Sequence, residues 1–322
     1  MQLNIIYKET CLETLSKMPD AFIDCVITSP PYWQLRDYGY PEQWGLEPTF
    51  QEYLEHLWSM MDEIYRVLKP TGSVWVNLGD TYNSSTKGNR NGFDNTTWDK
   101  AKTERVRSEK IGTAWKVDRN NLPEKMLLLL PHRFAIGCID RGWIVRNDIV
   151  WAKRNAMPES VTDRFSKKHE YFFLMTKSEN YFFDLEAVRD KCPPLNRWGG
   201  NKLKANGTSR WDEGTGQNAY RDREMQPNDG MKNPGDVADF WNIPTKPSDK
   251  NHYASYNDEL LKKPMLAGCP EGGLVYDPFM GSGTTAAMAI RTKRNWIGSE
   301  MSEKFVKDAN NALMPLLTQT SL

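Results

Sequence analysis

Six consecutive residues, Thr28-Ser29-Pro30-Pro31-Tyr32-Trp33, combine hydrogen-bond acceptors with flat aromatic faces. Two adjacent prolines fix φ and contribute no N–H, so the backbone offers carbonyl oxygens alone, joined by the Ser29 hydroxyl. Tyr32 and Trp33 add apolar plates. Acceptors beside an aromatic plate suit the exocyclic amine of a nucleobase, stacked on a ring and held by its N–H donors. A Pro-rich surface turn with a buried tyrosine is the plainer alternative. The position of the string, directly after an apolar stretch, favours the functional reading.

A second set lies near the other end. Asp277-Pro278-Phe279-Met280-Gly281-Ser282-Gly283-Thr284-Thr285 follows the short apolar run Leu274-Val275-Tyr276. Gly281 and Gly283 permit a tight turn and close approach of a ligand to the backbone. Glu300 then closes Asn295-Trp296-Ile297-Gly298-Ser299, at about the spacing of an acid that grips ribose hydroxyls. The third glycine of the dinucleotide fingerprint is missing, and no basic residue sits in the turn. A ligand with ribose and adenine but no pyrophosphate fits this pattern better than a dinucleotide.

These residues need elements to hold them. Ala21-Phe22-Ile23-Asp24-Cys25-Val26-Ile27 reads as a strand, which puts the Ser-Pro-Pro-Tyr string at a strand's carboxyl end, where open α/β sheets bind ligands. Tyr53, Leu54, Leu57, Met60, Met61, Ile64 and Val67 recur at helical spacing over residues 50–67. Ser73-Val74-Trp75-Val76-Asn77-Leu78 reads as the next strand. Met126-Leu127-Leu128-Leu129-Leu130 reads as a buried helix, stopped by Pro131 and far too short to span a membrane. Glu170-Tyr171-Phe172-Phe173-Leu174-Met175 and Tyr181-Phe182-Phe183 look like an antiparallel pair. Strand, glycine turn, helix, strand and acid describe residues 274–300.

The chain has 322 residues, with 42 basic and 42 acidic side chains, a length suited to one large α/β domain with a subdomain. Zero net charge excludes a globally basic nucleic-acid binder, so affinity for DNA would rest on local patches. Residues 84–125 hold ten Lys or Arg against six acids, and Arg164, Lys167 and Lys168 cluster near His169. Five scattered cysteines lack metal spacing and point to reduced thiols in a cytoplasmic protein. No proline precedes any of them, which removes the Pro-Cys nucleophile that C5-cytosine methylation needs. No signal peptide is visible.

Taken together, the two motifs resemble those of the S-adenosylmethionine-dependent amino-methyltransferases of DNA. Residues 28–33 are similar to their catalytic motif, and residues 277–284 to their cofactor motif. Catalytic motif first and cofactor motif last is the permuted order of the β class. Serine before Pro-Pro-Tyr resembles the N4-cytosine branch. The resemblance implies a circularly permuted, Rossmann-like α/β fold, its sheet mostly parallel with one antiparallel strand, plus a small target-recognition region. It implies Ser29, Pro30, Pro31 and Tyr32 as catalytic residues. It implies a cofactor site of Thr28, Asp277, Pro278, Phe279, Gly281, Ser282, Gly283, Thr284, Glu300 and Tyr256, the last from a segment closing over the methionine end. Where the family carries a Gly-Asp pair that holds adenine, this chain has Glu9-Thr10, and Asn257 stands where proline is common.

The resemblance further implies a catalytic part at 1–185, target recognition at 186–240 and a cofactor part at 241–322. Double-stranded DNA is the implied partner, with Lys100, Lys102, Arg105, Arg107, Arg164, Lys167 and Lys168 as backbone contacts. A cognate restriction endonuclease is a further partner of such enzymes, and monomer and homodimer both stay open. The expected reaction is methyl transfer to N4 of a flipped-out cytosine. N6 of adenine is the nearest alternative. A dinucleotide oxidoreductase leaves residues 28–33 unexplained, and a non-catalytic DNA-binding module requires a dead cofactor site.

Overall fold

The computed structural model describes residues 1–83, 122–190, 238–245 and 257–319. One compact unit comprises Met1–Asp184 and Asp239–Leu322, and Leu185–Ala238 forms a second. The first contains an eight-stranded sheet. Its strands are β1 (Ile5–Tyr7), β2 (Ile23–Thr28), β3 (Leu68–Leu78), β4 (Ile144–Ala152), β5 (His169–Thr176), β6 (Phe240–Asn242), β7 (Leu274–Asp277) and β8 (Asn295–Ser299). Their order across the sheet is β1-β8-β7-β2-β3-β5-β4-β6. Every neighbouring pair is parallel except β3·β5 and β4·β5, so β5 alone runs the other way.

The described helices of this unit are α1 (Cys11–Ser16), α2 (Phe50–Val67), α3 (Leu130–Asp140), α4 (Asp258–Gly268), α5 (Thr284–Arg291) and α6 (Glu303–Gln319). In α2 every apolar position predicted from the sequence is buried. Thr49 caps it reciprocally with Glu52, which satisfies two of the N–H groups that a helix start leaves orphaned. The residues of α1, α2 and α3 share a core with β2 and β3. On the opposite face α4 packs on α5 and α5 on α6. Gly268 at the end of α4 is a close-approach glycine: a Cβ there would lie 2.3 Å from Trp75 Nε1. Asn257 caps α4, accepting from Glu259 N at 3.1 Å and donating to Pro244 O at 2.5 Å, so it fills structurally the place where proline is common.

Two predicted elements differ from the structure. Tyr181-Phe182-Phe183 is no partner strand of β5, which is flanked on both sides by β3 and β4. The segment instead runs past the start of β3, where Phe182 N donates to Thr71 O. The apolar run 126–130 is not a helix either. Leu129 takes φ 56°, and α3 begins only at Leu130, with Pro131 in the first turn, where its missing N–H costs nothing.

Candidate active site

Crossovers leave the sheet in opposite directions from β2 and β7. The chain passes from β2 through α2 to β3 on one side, and from β7 through α5 to β8 on the other. Strands β2 and β7 are parallel neighbours, so this is the topological switch point, where open α/β sheets form a ligand crevice at the strands' carboxyl ends. Both sequence motifs emerge there side by side.

A buried bond joins them. Thr28 Oγ1, at the end of β2, donates to Asp277 Oδ1 at 2.9 Å across 249 residues of chain. Asp277 also accepts from Thr285 Oγ1 at 2.6 Å and from Phe279 N at 3.0 Å. Burial nevertheless raises the Asp277 carboxyl to about 6, because removal from water penalises the charge more than the three donors favour it.

The turn after β7 is built on left-handed backbone. Gly281 has φ 52° and Gly283 φ 81°, values that favour glycine. At Gly283 a Cβ would also stand 3.1 Å from the Ala309 Cβ of α6. Gly283 starts α5 without a side-chain cap. Gly281 N donates to Glu300 Oε2 at 3.0 Å, and Ser302 N donates to Glu300 Oε1 at 2.8 Å. Glu300 thus ties the end of β8 to the glycine turn, and burial raises its pKa. Each carboxylate oxygen keeps a lone pair for a further donor. Ser282 and Thr284 share a hydroxyl contact at 3.2 Å. Pro278 is buried, and half-buried Phe279 meets the Trp44 ring edge-on at 5.5 Å.

Across the crevice, Ser29 is half-buried, Pro30 buried and Pro31 half-buried. No described residue hydrogen-bonds Ser29 Oγ. Pro31 O accepts from Tyr53 Oη at 2.9 Å, which fastens the turn to α2. Tyr32 Oη lies 2.8 Å from Glu170 Oε2 and 3.0 Å from Asn77 Oδ1. One hydroxyl proton faces two acceptors, so the pair fixes the ring's position from two strands. Asn77 is itself oriented by donating to Tyr171 O, and Glu170 is paired with Lys153. Gly79 adds shape: a Cβ there would meet Tyr32 Cε2 at 2.5 Å.

Trp33 departs from its expected role as a second plate. It is buried in the core, edge-on to Phe50, with its indole N–H on Glu47 O at 3.0 Å. Glu9 and Thr10 are also otherwise engaged. Glu9 accepts from Thr14 Oγ1 and pairs with Lys17, and Thr10 caps α1. Of the cluster Arg164, Lys167 and Lys168, only Lys168 is exposed. Arg164 pairs with Glu159 at 2.6 Å and lies 3.8 Å over the Tyr82 ring. Lys167 turns inward, its Nζ buried with no hydrogen-bond partner among the described residues, and burial lowers its pKa. Tyr256, Lys100, Lys102, Arg105 and Arg107 lie outside the described residues.

Sequence reasoning missed Asn77, Lys153 and Glu170, which sit on the sheet and carry no motif signal. It also missed the segment around Tyr38 and Tyr40. Tyr40 Oη donates to Ser302 Oγ at 2.8 Å, and the Tyr38 hydroxyl titrates high, chiefly through burial. Arg36 Nη1, beside Tyr38, is buried without a hydrogen-bond partner among the described residues.

The switch point and the two motifs define a candidate site for a nucleoside ligand, and comparison with known proteins gives the family. Residues 23–311 match the DNA methylase family of N6/N4 enzymes. The chain is 35% identical to the Type II methyltransferase M.Cfr9I of Citrobacter freundii over 96% of its own length and 87% of that protein. It is 32% identical to M.SmaI of Serratia marcescens, over 94% and 88%. Among solved structures, the PvuII cytosine-N4-specific DNA methyltransferase superposes with TM-score 0.59 at 19% identity, over 94% of this chain and 84% of that one. A putative DNA modification methylase of Thermus thermophilus, solved with S-adenosyl-L-methionine, gives TM-score 0.55 at 20% identity, over 97% and 93%.

The chain belongs to the N6/N4 DNA methylase family and is a DNA methyltransferase that uses S-adenosylmethionine. The residues present fit that cofactor. Glu300 keeps acceptor capacity for ribose hydroxyls, and no cation in the turn calls for a pyrophosphate. The space beside Gly281 is open, since a Cβ there meets nothing nearer than Phe279 O at 3.9 Å. Among the described residues no helix is long and apolar enough to cross a membrane.

Proposed function

We propose that this enzyme methylates N4 of a cytosine flipped out of duplex DNA. The observation that carries this reading is the Thr28–Asp277 bond, which sets the acceptors of residues 29–30 beside the cofactor turn. Serine at position 29, rather than an acid or amide, supports cytosine over adenine as the target.

S-adenosylmethionine, when bound, supplies an electrophilic methyl group on a sulfonium. The chain's own residues do the rest by placement. Ser29 Oγ and Pro30 O accept the amine hydrogens of the base and orient its nitrogen. That contact favours a pyramidal nitrogen over the flat, ring-conjugated amine, whose lone pair is a poor nucleophile. Tyr32 stacks on the base, its ring held by Glu170 and Asn77. The amine turns acidic as it gains the methyl, so no strong base is required. Alignment and fixed dipoles account for most of the rate. Glu300 binds the ribose hydroxyls. Asp277 and the turn at Gly281, Ser282, Gly283 and Thr284 shape the amino-acid end, with Pro278 and Phe279 as its wall and Tyr256 closing over it.

Sequence specificity is assigned to residues 186–240. Lys100, Lys102, Arg105, Arg107, Arg164, Lys167 and Lys168 are assigned to the phosphate backbone, contacts that position a duplex without reading it. The enzyme works in the cytoplasm, on DNA that a cognate restriction endonuclease would cut. Sequencing DNA from cells expressing the chain, with chemistry that separates N4-methylcytosine from N6-methyladenine, tests the reading. N4-methylcytosine in one short motif is expected. N6-methyladenine would move the target to the other amine, and unmodified DNA would sink the assignment.

A further inference from the structure

Phe165 is 97% exposed, more than any other large hydrophobic side chain among the described residues. It sits in the loop between β4 and β5. Because β5 alone is reversed, this loop returns to the same sheet edge as the ends of β2 and β7. The loop's base abuts the catalytic turn. Lys153 N donates to Lys168 O at 2.8 Å, and Lys153 pairs with Glu170, the acceptor of the Tyr32 hydroxyl.

Side chains on either side of this ring tie its backbone to neighbouring segments. One guanidinium, that of Arg164, donates to Phe165 O at 3.0 Å and to Glu159 at 2.6 Å, and lies over Tyr82. Asp163, two residues before Phe165, pairs with Lys125 at 2.5 Å. The loop thus presents a phenyl ring to water, forgoing the burial that usually places phenylalanine inside. Lys168, exposed three residues on, supplies a cation of the sign that attracts a phosphate backbone.

We propose that Phe165 is the wedge of this enzyme: its ring enters the base stack where the target nucleotide has left it. A flipped base leaves a gap whose two neighbours have lost their stacking partner. A flat apolar ring of about base thickness restores contact with both and blocks return of the base. Apolar side chains inserted between base steps act in this way in proteins that deform DNA. The proposal rests on base flipping, and so on the function proposed above.

The test uses duplexes built on the motif that sequencing assigns, with the target correctly paired or mispaired. Mispairing lowers the cost of extrusion, so a wedge matters less there. Phe165→Ala should lower turnover on the paired duplex by about tenfold or more, the size expected of one lost base–aromatic stack. On the mispaired duplex it should approach wild type, and Phe165→Trp should stay active on both. Cofactor affinity, read by calorimetry, should not change. A Phe165→Ala enzyme as active as wild type on the paired duplex overturns the wedge, and so does a defect of equal size on both duplexes. If wild type itself methylates neither duplex, the functional reading has failed, not the wedge alone.

Discussion

The two halves of the crevice use their polar groups in opposite ways. On the side proposed for the cofactor nearly every group is engaged within the protein: Asp277 takes three donors and Glu300 two backbone N–H groups. On the side proposed for catalysis the flanks are pinned, at Pro31 by Tyr53 and at Tyr32 by Glu170 and Asn77, while Ser29 Oγ is left without a described partner. A binding surface for a cofactor gains from being preformed, since rigid donors cost no ordering on binding. A group that must hold a substrate amine gains from having nothing else to hold.

That contrast is broken most strongly at Ser29. Ser29→Ala should cut turnover by about 2–4 kcal/mol of transition-state stabilisation while stability and cofactor affinity hold. Wild-type turnover in single-turnover assays would remove the hydroxyl from the mechanism.

Asp277 should reveal the opposite behaviour, a group whose first effect is on stability. Its folded-state pKa, about 6, lies above the usual 3.8. Its contribution is therefore full below about pH 4 and lost as pH rises through 6. Relative to Asp277→Asn, wild type should lose roughly 2–3 kcal/mol between pH 4 and 7, about two pKa units of linkage. Urea melts of both proteins across that range check this, and parallel pH curves would disprove it.

Glu300→Gln keeps the shape of the site but removes the charge. Cofactor binding should weaken by about 1.5–3 kcal/mol, with the methylated motif unchanged. Unaltered affinity by calorimetry would show that Glu300 serves the turn only.

The smallest effect is expected from Tyr32→Phe. The ring remains and its tether to Glu170 and Asn77 goes, so turnover should fall by about 1 kcal/mol. Tyr32→Ala, which removes the ring, should lose about 1–3 kcal/mol of base capture. Equal losses in the two variants would shift the role from ring to hydroxyl.

Local chemistry made much of this molecule legible in the sequence. Residues 28–33 and 277–285 announce themselves because prolines, glycines and β-strand residues constrain the backbone within a few positions. The apolar repeat of residues 50–67 is helical because burial of one face requires that period. The same logic misleads where neighbours in space decide. Tyr181-Phe182-Phe183 has strand composition, yet β5 already has a partner on each edge. Trp33 has the look of a stacking plate, yet it fills the core under Glu47. Lys167 reads as a surface cation, but the fold turns its ammonium inward. The anchors of Tyr32 were invisible because Asn77 and Glu170 lie 45 and 138 residues away.

Sequence alone therefore determined which residues are candidates to bind a nucleoside cofactor and to receive an amine, because those properties belong to side chains and short turns. Tertiary structure decided that the two motifs share one crevice and which polar groups are occupied or open. It also decided that Phe165 stands in water on a braced loop beside them. Parallel pairing of β2 with β7 supplies the reason: it brings residues 249 apart within a hydrogen bond, a distance no local pattern encodes.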